Sequence, residues 1–219
     1  MMKFDKQFLE VKKKLVNTVQ ALICVRDSLN YRAKLLIYNS LFKAHIDYSA
    51  IAYLERLSKT QLDELSKLQK NAIRLVFSTK RSVHTNKLFK LANIRPIANI
   101  YEEEAIKFVF KFINDTNDEQ PQAIGKILFQ GNTNLRNLRY YDYKSNIKIC
   151  DKFKKGNCLY NLLHTWNQTD YVTKSAGNFW SLKAMLKEKL YIEDKTCQKE
   201  KCYICSLDAN KNYNAYMKN

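Results

Sequence analysis

The sequence predicts a mainly α-helical fold: a helical bundle in the N-terminal two-thirds, a smaller α+β part behind it and a flexible tail. Three observations favour this class. The 219 residues include only 4 Gly and 2 Pro, which disfavours turn-rich sandwiches and glycine-loop nucleotide-binding folds. Apolar residues recur at helical spacings of three and four, most densely in residues 65–113. The length is that of one domain or two small ones and is enough for a real core.

The domain boundaries are predicted from polar stretches. Residues 1–116 form the helical domain, residues 117–192 a connecting segment, and residues 193–219 a Cys-containing flexible tail. The first boundary lies in the turn cluster Asn114-Asp115-Thr116-Asn117-Asp118. The tail is polar and rich in Asn, Lys and Tyr, a composition typical of disorder.

Two helices are predicted before residue 54. Residues 4–27 form an amphipathic helix, and after a break at Asn30 a second helix runs from Tyr31 to Tyr53. The apolar stripe of the first helix consists of Phe4, Phe8, Val11, Leu15, Val19, Leu22 and Ile23. The apolar set of the second includes Leu35, Tyr38, Leu41, Phe42, Ile46 and Ile51.

A capping box predicts the start of the third helix. Ser58 and Gln61 have the S-x-x-Q form that satisfies free backbone N–H groups at a helix start, and the helix runs to about Ser78. Its apolar stripe is Leu62, Leu65, Leu68, Ala72 and Val76. Arg74 lies on the polar side, where two interpretations stay open: it grips phosphate, or it ties the helix to a neighbouring carboxylate.

Two more helices are predicted between residues 85 and 114. Thr85 is the predicted N-cap of a short helix over residues 86–92, and Pro96 suits the first turn of the next helix. Glu103 and Lys107 form an i,i+4 pair on the polar face of that helix. Its apolar face is Ile97, Ile100, Tyr101, Ala105, Phe108, Val109 and Phe112.

The second half has a weaker pattern. Residues 136–149 mix aromatic residues with alternation, which allows one or two short strands. Residues 159–166 are apolar and aromatic, and residues 177–192 form a final amphipathic helix. That helix has Phe179, Leu182, Met185, Leu186 and Leu190 at helical spacing.

The charge of the chain points to a polyanionic partner. Net charge is +17, and residues 1–100 alone contain 19 basic and 7 acidic residues, a net charge of +12. Lys and Arg release counterions from phosphate backbones, so an excess of this size favours nucleic acid. The alternative, a lysine-rich chain with merely solvated faces, stays open. The candidate nucleic-acid-binding residues are Lys12, Lys13, Lys14, Lys67, Lys70, Arg74, Lys80, Arg81 and Lys87.

Catalytic and membrane-spanning patterns are missing from the sequence. Basic residues interrupt every apolar run, and no secretory signal pattern opens the chain, so we expect an intracellular protein, nuclear or cytoplasmic, without membrane contact. His45 and Asp47 lie two positions apart on a helix and point to different faces. The run Glu102-Glu103-Glu104 is interpreted as a solvated face. No catalytic residue is therefore assigned.

The spacing Cys197-x4-Cys202-x2-Cys205 resembles a metal site. A closed zinc site needs four ligands, and the fourth would have to be Cys150, Cys158 or His164. The alternative is that these are free thiols in a loose tail, as expected for the six cysteines of an intracellular chain. No other cofactor is predicted.

The order of several short motifs resembles a known family, the non-LTR (LINE-like) retrotransposon reverse transcriptases. The likeness spans roughly residues 4–192 and is to the helical region that follows the palm, namely the thumb and connector. It rests on Tyr38-Asn39-Ser40-Leu41, Asp47-Tyr48, Leu68-Gln69-Lys70 with Ala72-Ile73-Arg74, His84-Thr85 with Leu88-Phe89, Ile100-Tyr101, Phe108 to Lys111, Leu159-Tyr160-Asn161 and Phe179 to Leu190.

The chain also departs from that family. Ser49 follows Tyr48 where the family commonly has glycine, and Tyr160 stands where tryptophan is expected. The catalytic Y-x-D-D motif is missing, and the sequence contains no Asp-Asp pair. Because the polymerase reaction needs clustered carboxylates that hold two metal ions, the isolated chain is not expected to be an enzyme.

Two functions follow as hypotheses. The resemblance implies a non-catalytic, thumb-like segment that binds RNA or an RNA–DNA hybrid without sequence preference, with a palm-containing polymerase segment as a further partner. Tyr140, Tyr141 and Tyr143, next to Arg136 and Arg139, could stack on unpaired bases or be half-buried strand residues. The alternative function is a structural or adapter protein, domesticated or unrelated, whose helices pack on a protein partner.

Overall fold

The computed structural model describes residues 5–48, 50–81, 83–114 and 157–189. These residues are mostly helical and include no strand, which confirms the mainly α prediction for this part of the chain. The predicted strands in residues 136–149 and the tail from residue 193 lie outside the described residues. No helix among those described is both long and apolar enough to cross a membrane.

The described helices follow one another along the chain. They are α1 Asp5–Cys24, α2 Tyr31–Ile37, a π-helical segment Tyr38–Lys43, α3 Ala44–Asp47, α4 Ala50–Tyr53, a 3-10 turn Leu54–Arg56, α5 Lys59–Val76, α6 Thr85–Ala92, α7 Ile97–Asn114, α8 Cys158–Gln168, α9 Tyr171–Lys174 and α10 Phe179–Lys189. The described residues up to Ile100 belong to one compact unit, and those from Tyr101 to Lys189 belong to a second. The domain boundary predicted at residue 116 stays a prediction.

In the first unit, α1 packs along α5. The predicted stripe of α1 is largely confirmed, because Phe8, Val11 and Leu15 are buried, as is Leu22. Ile23 was predicted wrongly: 56% of it is exposed. The buried face of α5 consists of Leu65, Gln69, Ala72, Ile73 and Val76, whereas Leu62 and Leu68 are only half-buried.

The predicted second helix is interrupted by the π-helical segment. In a regular helix, side chains four apart lie on the same side. Tyr38, Phe42 and Ile46 are four apart, and all three are buried. Leu41 falls outside this side, and the prediction that it belongs to the core was wrong: it is 44% exposed. The helical run ends at Tyr48, whose backbone is extended.

The starts of α2 and α5 follow the sequence closely. The side chain of Asn30 accepts a hydrogen bond from the backbone N–H of Ala33 at 2.9 Å, which places the predicted break at a helix cap. The predicted capping box is confirmed. Ser58 Oγ accepts from the Gln61 backbone N–H at 3.2 Å, and Gln61 Oε1 accepts from the Ser58 N–H at 2.9 Å.

The two predicted helix starts at Thr85 and Pro96 are each off by one position. Thr85 is the first residue of α6 and is buried, and His84 precedes it without a side-chain cap. Pro96 is buried and lies immediately before α7 rather than in its first turn. Asn93 ends α6 in the left-handed conformation, with φ of 53°, which asparagine adopts more readily than most residues.

The second unit has a core of leucine, aromatic and β-branched side chains. Its buried members on α7, α8 and α10 are Ala105, Ile106, Val109, Phe110, Leu162, Leu163, Trp166, Leu182 and Leu186. α10 begins at Phe179, two residues later than predicted, and Asn178 Oδ1 accepts a hydrogen bond from the Ser181 N–H at 2.8 Å. Met185 is half-buried.

The glutamate run on α7 is only partly solvated. Glu102 is exposed, but Glu103 is 8% exposed and forms an ion pair with Lys107, which also pairs with Glu104 at 2.8 Å. Burial by itself lowers the pKa of Lys107, and its hydrogen bonds to the two glutamates outweigh burial, so the pKa is raised. The predicted i,i+4 pair is confirmed. The interpretation of the whole run as a solvated face was wrong, because α7 buries more than one side.

Candidate nucleic-acid interface

The predicted lysines of α1 differ in whether they already form an ion pair. Lys12 Nζ lies 2.7 Å from Glu64 Oε2 on α5 and 5.8 Å from the ring centre of Phe8. This ion pair connects α1 to α5 and neutralises the Lys12 charge. Lys13 and Lys14 are exposed, and neither is in an ion pair with any described residue. Of this cluster, therefore, two cations are available to a ligand.

The predicted basic residues of α5 lie on its outer side. Lys67 and Lys70 are exposed, and within the part of the chain that the structure describes no carboxylate pairs with either. Arg74 is half-buried, and its Nε donates to the Val83 carbonyl oxygen at 3.1 Å. A second, longer contact of 3.5 Å joins Arg74 Nη1 to the Lys70 carbonyl oxygen.

Arg74 therefore does something that neither interpretation from sequence contained. It ties α5 to the loop before α6 through a backbone carbonyl, and no carboxylate among the described residues pairs with it. The contact leaves most of the five guanidinium N–H donors free for an anion.

Arg81 lies close enough to Arg74 for the two charges to repel. Burial, and after it the Arg81 charge, lowers the pKa of the Arg74 guanidinium, which nevertheless stays charged at neutral pH. Arg81 and the neighbouring Lys80 are exposed. The tertiary structure thus brings Arg81 close to Arg74, which shares a side of α5 with Lys67 and Lys70, and we call these four residues the α5 basic edge.

Lys87 is less suited to a ligand than its position in the sequence suggests. It lies on α6, is half-buried and already interacts with a neighbouring group. Lys12 and Lys87 therefore already have interactions within the protein and are left out of the proposed interface.

A buried glutamine supports this interface and was missed from the sequence. Gln69 is 2% exposed and lies between Lys67 and Lys70 in the chain. Its Nε2 donates to the Tyr38 hydroxyl at 3.0 Å and to the Arg95 carbonyl oxygen at 2.7 Å, and its Oε1 accepts from the Ile97 backbone N–H at 2.9 Å. One side chain thus joins α5, the π-helical segment and the start of α7. Its spacing from Leu65 and Ala72, which puts a polar residue in an apolar stripe, was the available signal.

A buried lysine fixes the other end of α5. Lys34 is 4% exposed, and its Nζ donates to the Arg26 carbonyl oxygen at 2.9 Å and to Ser78 Oγ at 2.6 Å. Burial lowers its pKa, the nearby Asp27 raises it and Arg26 lowers it, and the net shift is downward. Because its two hydrogen bonds join the residues after α1 to the end of α5, Lys34 has a structural role and is not a surface contact.

The structure leaves the predicted zinc site untested. Cys197, Cys202 and Cys205 lie outside the described residues, as do the tyrosines and arginines of residues 136–143. No three His, Cys, Asp or Glu side chains of the described part are grouped to hold a metal ion. Cys24 and Cys158 are thiols and not halves of a disulfide, as predicted, and His164 stacks on Tyr160 with ring centres 5.8 Å apart.

Comparison with known proteins adds no relative. No protein-family model, no curated protein and no solved structure matches this chain. The resemblance to reverse transcriptases of the non-LTR class therefore stays a prediction from short motifs. A functional proposal has to rest on the exposed charges and rings of the chain itself.

Proposed function

We propose that this chain is a non-catalytic nucleic-acid-binding protein that binds RNA or RNA–DNA duplexes without reading their sequence. The observation that carries the proposal is the α5 basic edge, a row of cations that no described carboxylate neutralises. Lys67, Lys70 and Arg74 follow one another at spacings of three and four, so they share one side of α5 over about 10 Å.

Repulsion between the neighbouring positive charges favours the binding of an anionic ligand at this edge. The charge of Arg81 disfavours the charge of Arg74, and a phosphate bound at Arg74 would oppose this effect. A phosphodiester backbone offers a series of negative charges, and contacts to it set position without specifying bases. This binding mode requires no pocket and no catalytic group.

The motif order supports an origin in the post-palm region of a non-LTR retrotransposon reverse transcriptase. In that ancestry the parent enzyme is an RNA-directed DNA polymerase, and this chain lacks its Y-x-D-D motif. A palm-containing polymerase segment would then be a second partner, and the site of action would be nuclear or cytoplasmic. Reading the genomic sequence that precedes the Met1 codon tests the ancestry, since an intact or decayed palm with Y-x-D-D supports it and an unrelated sequence contradicts it.

A salt titration tests the proposed binding. Affinity for a labelled RNA duplex and an RNA–DNA duplex is measured between about 50 and 200 mM salt, where each phosphate contact contributes about 0.7–0.9 to the slope of log affinity against log salt. The variant Lys67→Ala/Lys70→Ala/Arg81→Ala should lower affinity and reduce that slope by about 2. Arg74 is left intact because its contact with Val83 has a structural role.

A charge-matched control separates the edge from net charge. Lys6→Ala/Arg32→Ala/Lys43→Ala also removes three exposed cations of the first unit, one of which is already paired with Asp47. It should lose much less affinity than the edge variant. Equal losses in the two variants, or no binding by the natural chain at low salt, would remove the α5 basic edge as a site.

An adapter role is the second candidate, and one observation favours it. Three large apolar side chains are exposed between the start of α2 and the residue that follows α3. They are Leu36 (69% exposed), Leu41 (44%) and Tyr48 (73%). Exposed apolar side chains are typical of protein interfaces. If the chain binds no nucleic acid, and if sedimentation detects self-association that Leu36→Ser/Leu41→Ser abolishes, a protein-binding function replaces the first proposal.

A further inference from the structure

The outer side of α10 carries a tryptophan that packing does not explain. Trp180 is 78% exposed, so most of this large side chain lies in water. The core contribution of α10 comes from Leu182 and Leu186, which are completely buried. Trp180 is therefore not needed to attach the helix.

Lysine ammonium groups surround this ring and its neighbour. Lys183 Nζ lies 5.0 Å from the ring centre of Trp180 and 4.9 Å from that of Phe179. Lys111 Nζ, from the end of α7, lies 4.6 Å from the ring centre of Phe179. Phe179 is half-buried, and its ring is in cation–π contact with both ammonium groups.

The cations at this place have no described counterion. The ammonium groups of Lys111 and Lys183 are within about 10 Å of each other, the screening length at 0.1 M salt. Neither forms an ion pair with a described residue. Lys187 is exposed and follows Lys183 by one helical turn, on the same side as Trp180. An anion here would relieve the repulsion among three positive charges.

We propose that these residues, Trp180 with Lys111, Lys183 and Lys187, bind a single-stranded nucleic acid. Trp180 stacks on an unpaired base, and the lysines contact the phosphates on either side of it. An indole ring has two faces, so a base can stack on one while Lys183 stays beside the other. We call the four residues the Trp180 surface.

Single strands match this surface better than duplexes do. A duplex presents phosphates but keeps its base faces stacked inside, whereas every unpaired base offers a flat face to an aromatic side chain. The α5 basic edge has the opposite character, since it contains cations and no exposed ring. The Trp180 surface rests on different residues from the proposed duplex site, so either can fail alone.

Intrinsic fluorescence provides a direct test. The chain has two tryptophans, and Trp166 is 1% exposed, so an added ligand reaches Trp180 and not Trp166. An oligouridylate of twelve nucleotides should quench the Trp180 fluorescence through stacking. Inorganic polyphosphate of similar charge should compete for the lysines and leave the fluorescence unchanged. Absence of quenching by oligouridylate, or equal quenching by polyphosphate, would overturn the proposal.

Variants then separate the ring from the charges. Trp180→Ala should weaken oligouridylate binding by about tenfold or more, and Trp180→Phe should retain most of the affinity. Lys183→Met should lower the salt slope by about 0.7. Leu9→Ala is the matched control, because it shortens a side chain that is 60% exposed in the first unit, and it should leave oligouridylate binding unchanged. Binding is measured by fluorescence anisotropy of labelled oligouridylate, and folding by circular dichroism.

Two outcomes contradict the assignment. Unchanged oligouridylate affinity in Trp180→Ala would show that the ring does not stack. If a glutamate- and tyrosine-rich peptide displaced oligouridylate at equal concentration, the surface would belong to a protein partner. Duplex binding should stay intact in Trp180→Ala and fall in the α5-edge variant. Loss of single-strand binding and loss of duplex binding are therefore measured separately, and each proposal can fail without the other.

Discussion

The helices α5 and α10 begin alike and differ in what they bury and expose. Each starts with a polar side chain that accepts a hydrogen bond from the backbone N–H three residues on, Ser58 in α5 and Asn178 in α10. Each carries lysines on its outer side. α5, however, buries Gln69 among apolar side chains. Among the described side chains of α10, the fully buried ones are leucines, and Trp180 is exposed.

This difference shows that lysine content alone does not define a ligand. On α5 the lysines accompany Arg74, with Arg81 in the loop that follows and no exposed ring, an arrangement suited to phosphate. On α10 the lysines lie beside aromatic rings, an arrangement suited to phosphate and base together. The buried side differs too, because Gln69 links α5 to two other parts of its unit, and leucine packing on α10 has no such directionality.

The largest effect is expected at Gln69. Gln69→Leu keeps the volume but leaves the Ile97 N–H, the Arg95 carbonyl and the Tyr38 hydroxyl without this partner. Unpaired buried polar groups cost about 1–3 kcal/mol each, so the free energy of unfolding of the first unit should fall by about 3 kcal/mol. Urea denaturation followed by circular dichroism measures it.

The control for this variant is Gln20→Leu, at an exposed position of α1. It should change the free energy of unfolding by less than about 0.5 kcal/mol. If Gln69→Leu were as mild as this control, the hydrogen bonds of Gln69 would not distinguish α5 from a helix held by leucines alone.

Alkaline pH should weaken the first unit through its buried tyrosines. Burial raises the pKa of Tyr38 and of Tyr53 well above 10, the value expected in the unfolded chain, and the charge of Asp47 raises both further. The Gln69 hydrogen bond partly opposes the shift at Tyr38. Because the native state holds these protons longer than the unfolded state, the stabilisation is complete below pH 10 and is lost as pH rises above it. The expected loss is about 1.4 kcal/mol per pH unit for each tyrosine.

Tyr53→Phe tests the sign and size of this effect. The variant loses the hydrogen bond from the Tyr53 hydroxyl to the Ile46 carbonyl oxygen, so it should be less stable than the natural chain at about pH 8. Its disadvantage should shrink as pH rises from about 10 to 11, because only the natural chain then loses the stabilisation that comes from the raised pKa of Tyr53. Other titrating groups, such as Lys34, are present in both proteins and cancel in the comparison. Parallel stability curves between about pH 8 and 11 would mean that Tyr53 ionises as freely in the folded as in the unfolded state.

The smallest effect should be shared by both helices. Ser58→Ala and Asn178→Ala each remove an exposed side-chain cap, at an expected cost of about 0.5–1 kcal/mol. Ser58→Gly and Asn178→Gly are the matched controls and should cost only a few tenths, because water then reaches the free N–H groups. Thermal unfolding measures all four. A large difference between the stability losses of Ser58→Ala and Asn178→Ala would show that the two caps do not contribute equally.

Local features of the sequence predicted most helices and their starts. Periodicity identified α1, α5, α7 and α10, and the caps at Asn30 and Ser58 were readable because they depend on neighbours within three residues. One error lies where the backbone departs from 3.6 residues per turn. Leu41 was assigned to the core on an α-helical count, but it lies in the π-helical segment and is 44% exposed.

Polar residues in the core were the harder part. Gln69 and Lys34 occupy apolar stripes, and their partners lie 26 to 44 residues away along the chain in most of their hydrogen bonds. Sequence periodicity describes one helix at a time, so it cannot tell a satisfied buried amide from a misplaced one. Glu103 was placed on a solvated face for the same reason.

By itself, the sequence determined the helical class, the strong positive charge, the positions of the main caps and the absence of a Y-x-D-D motif. These depend on composition, on local spacing and on single-residue chemistry. Only the tertiary structure decided which cations stay free. Glu64 neutralises Lys12, backbone contacts hold Arg74 near Arg81, and α7 brings Lys111 to the ring of Phe179. Such choices depend on which helices pack together, because a charge is available only where folding brings no counterion to it.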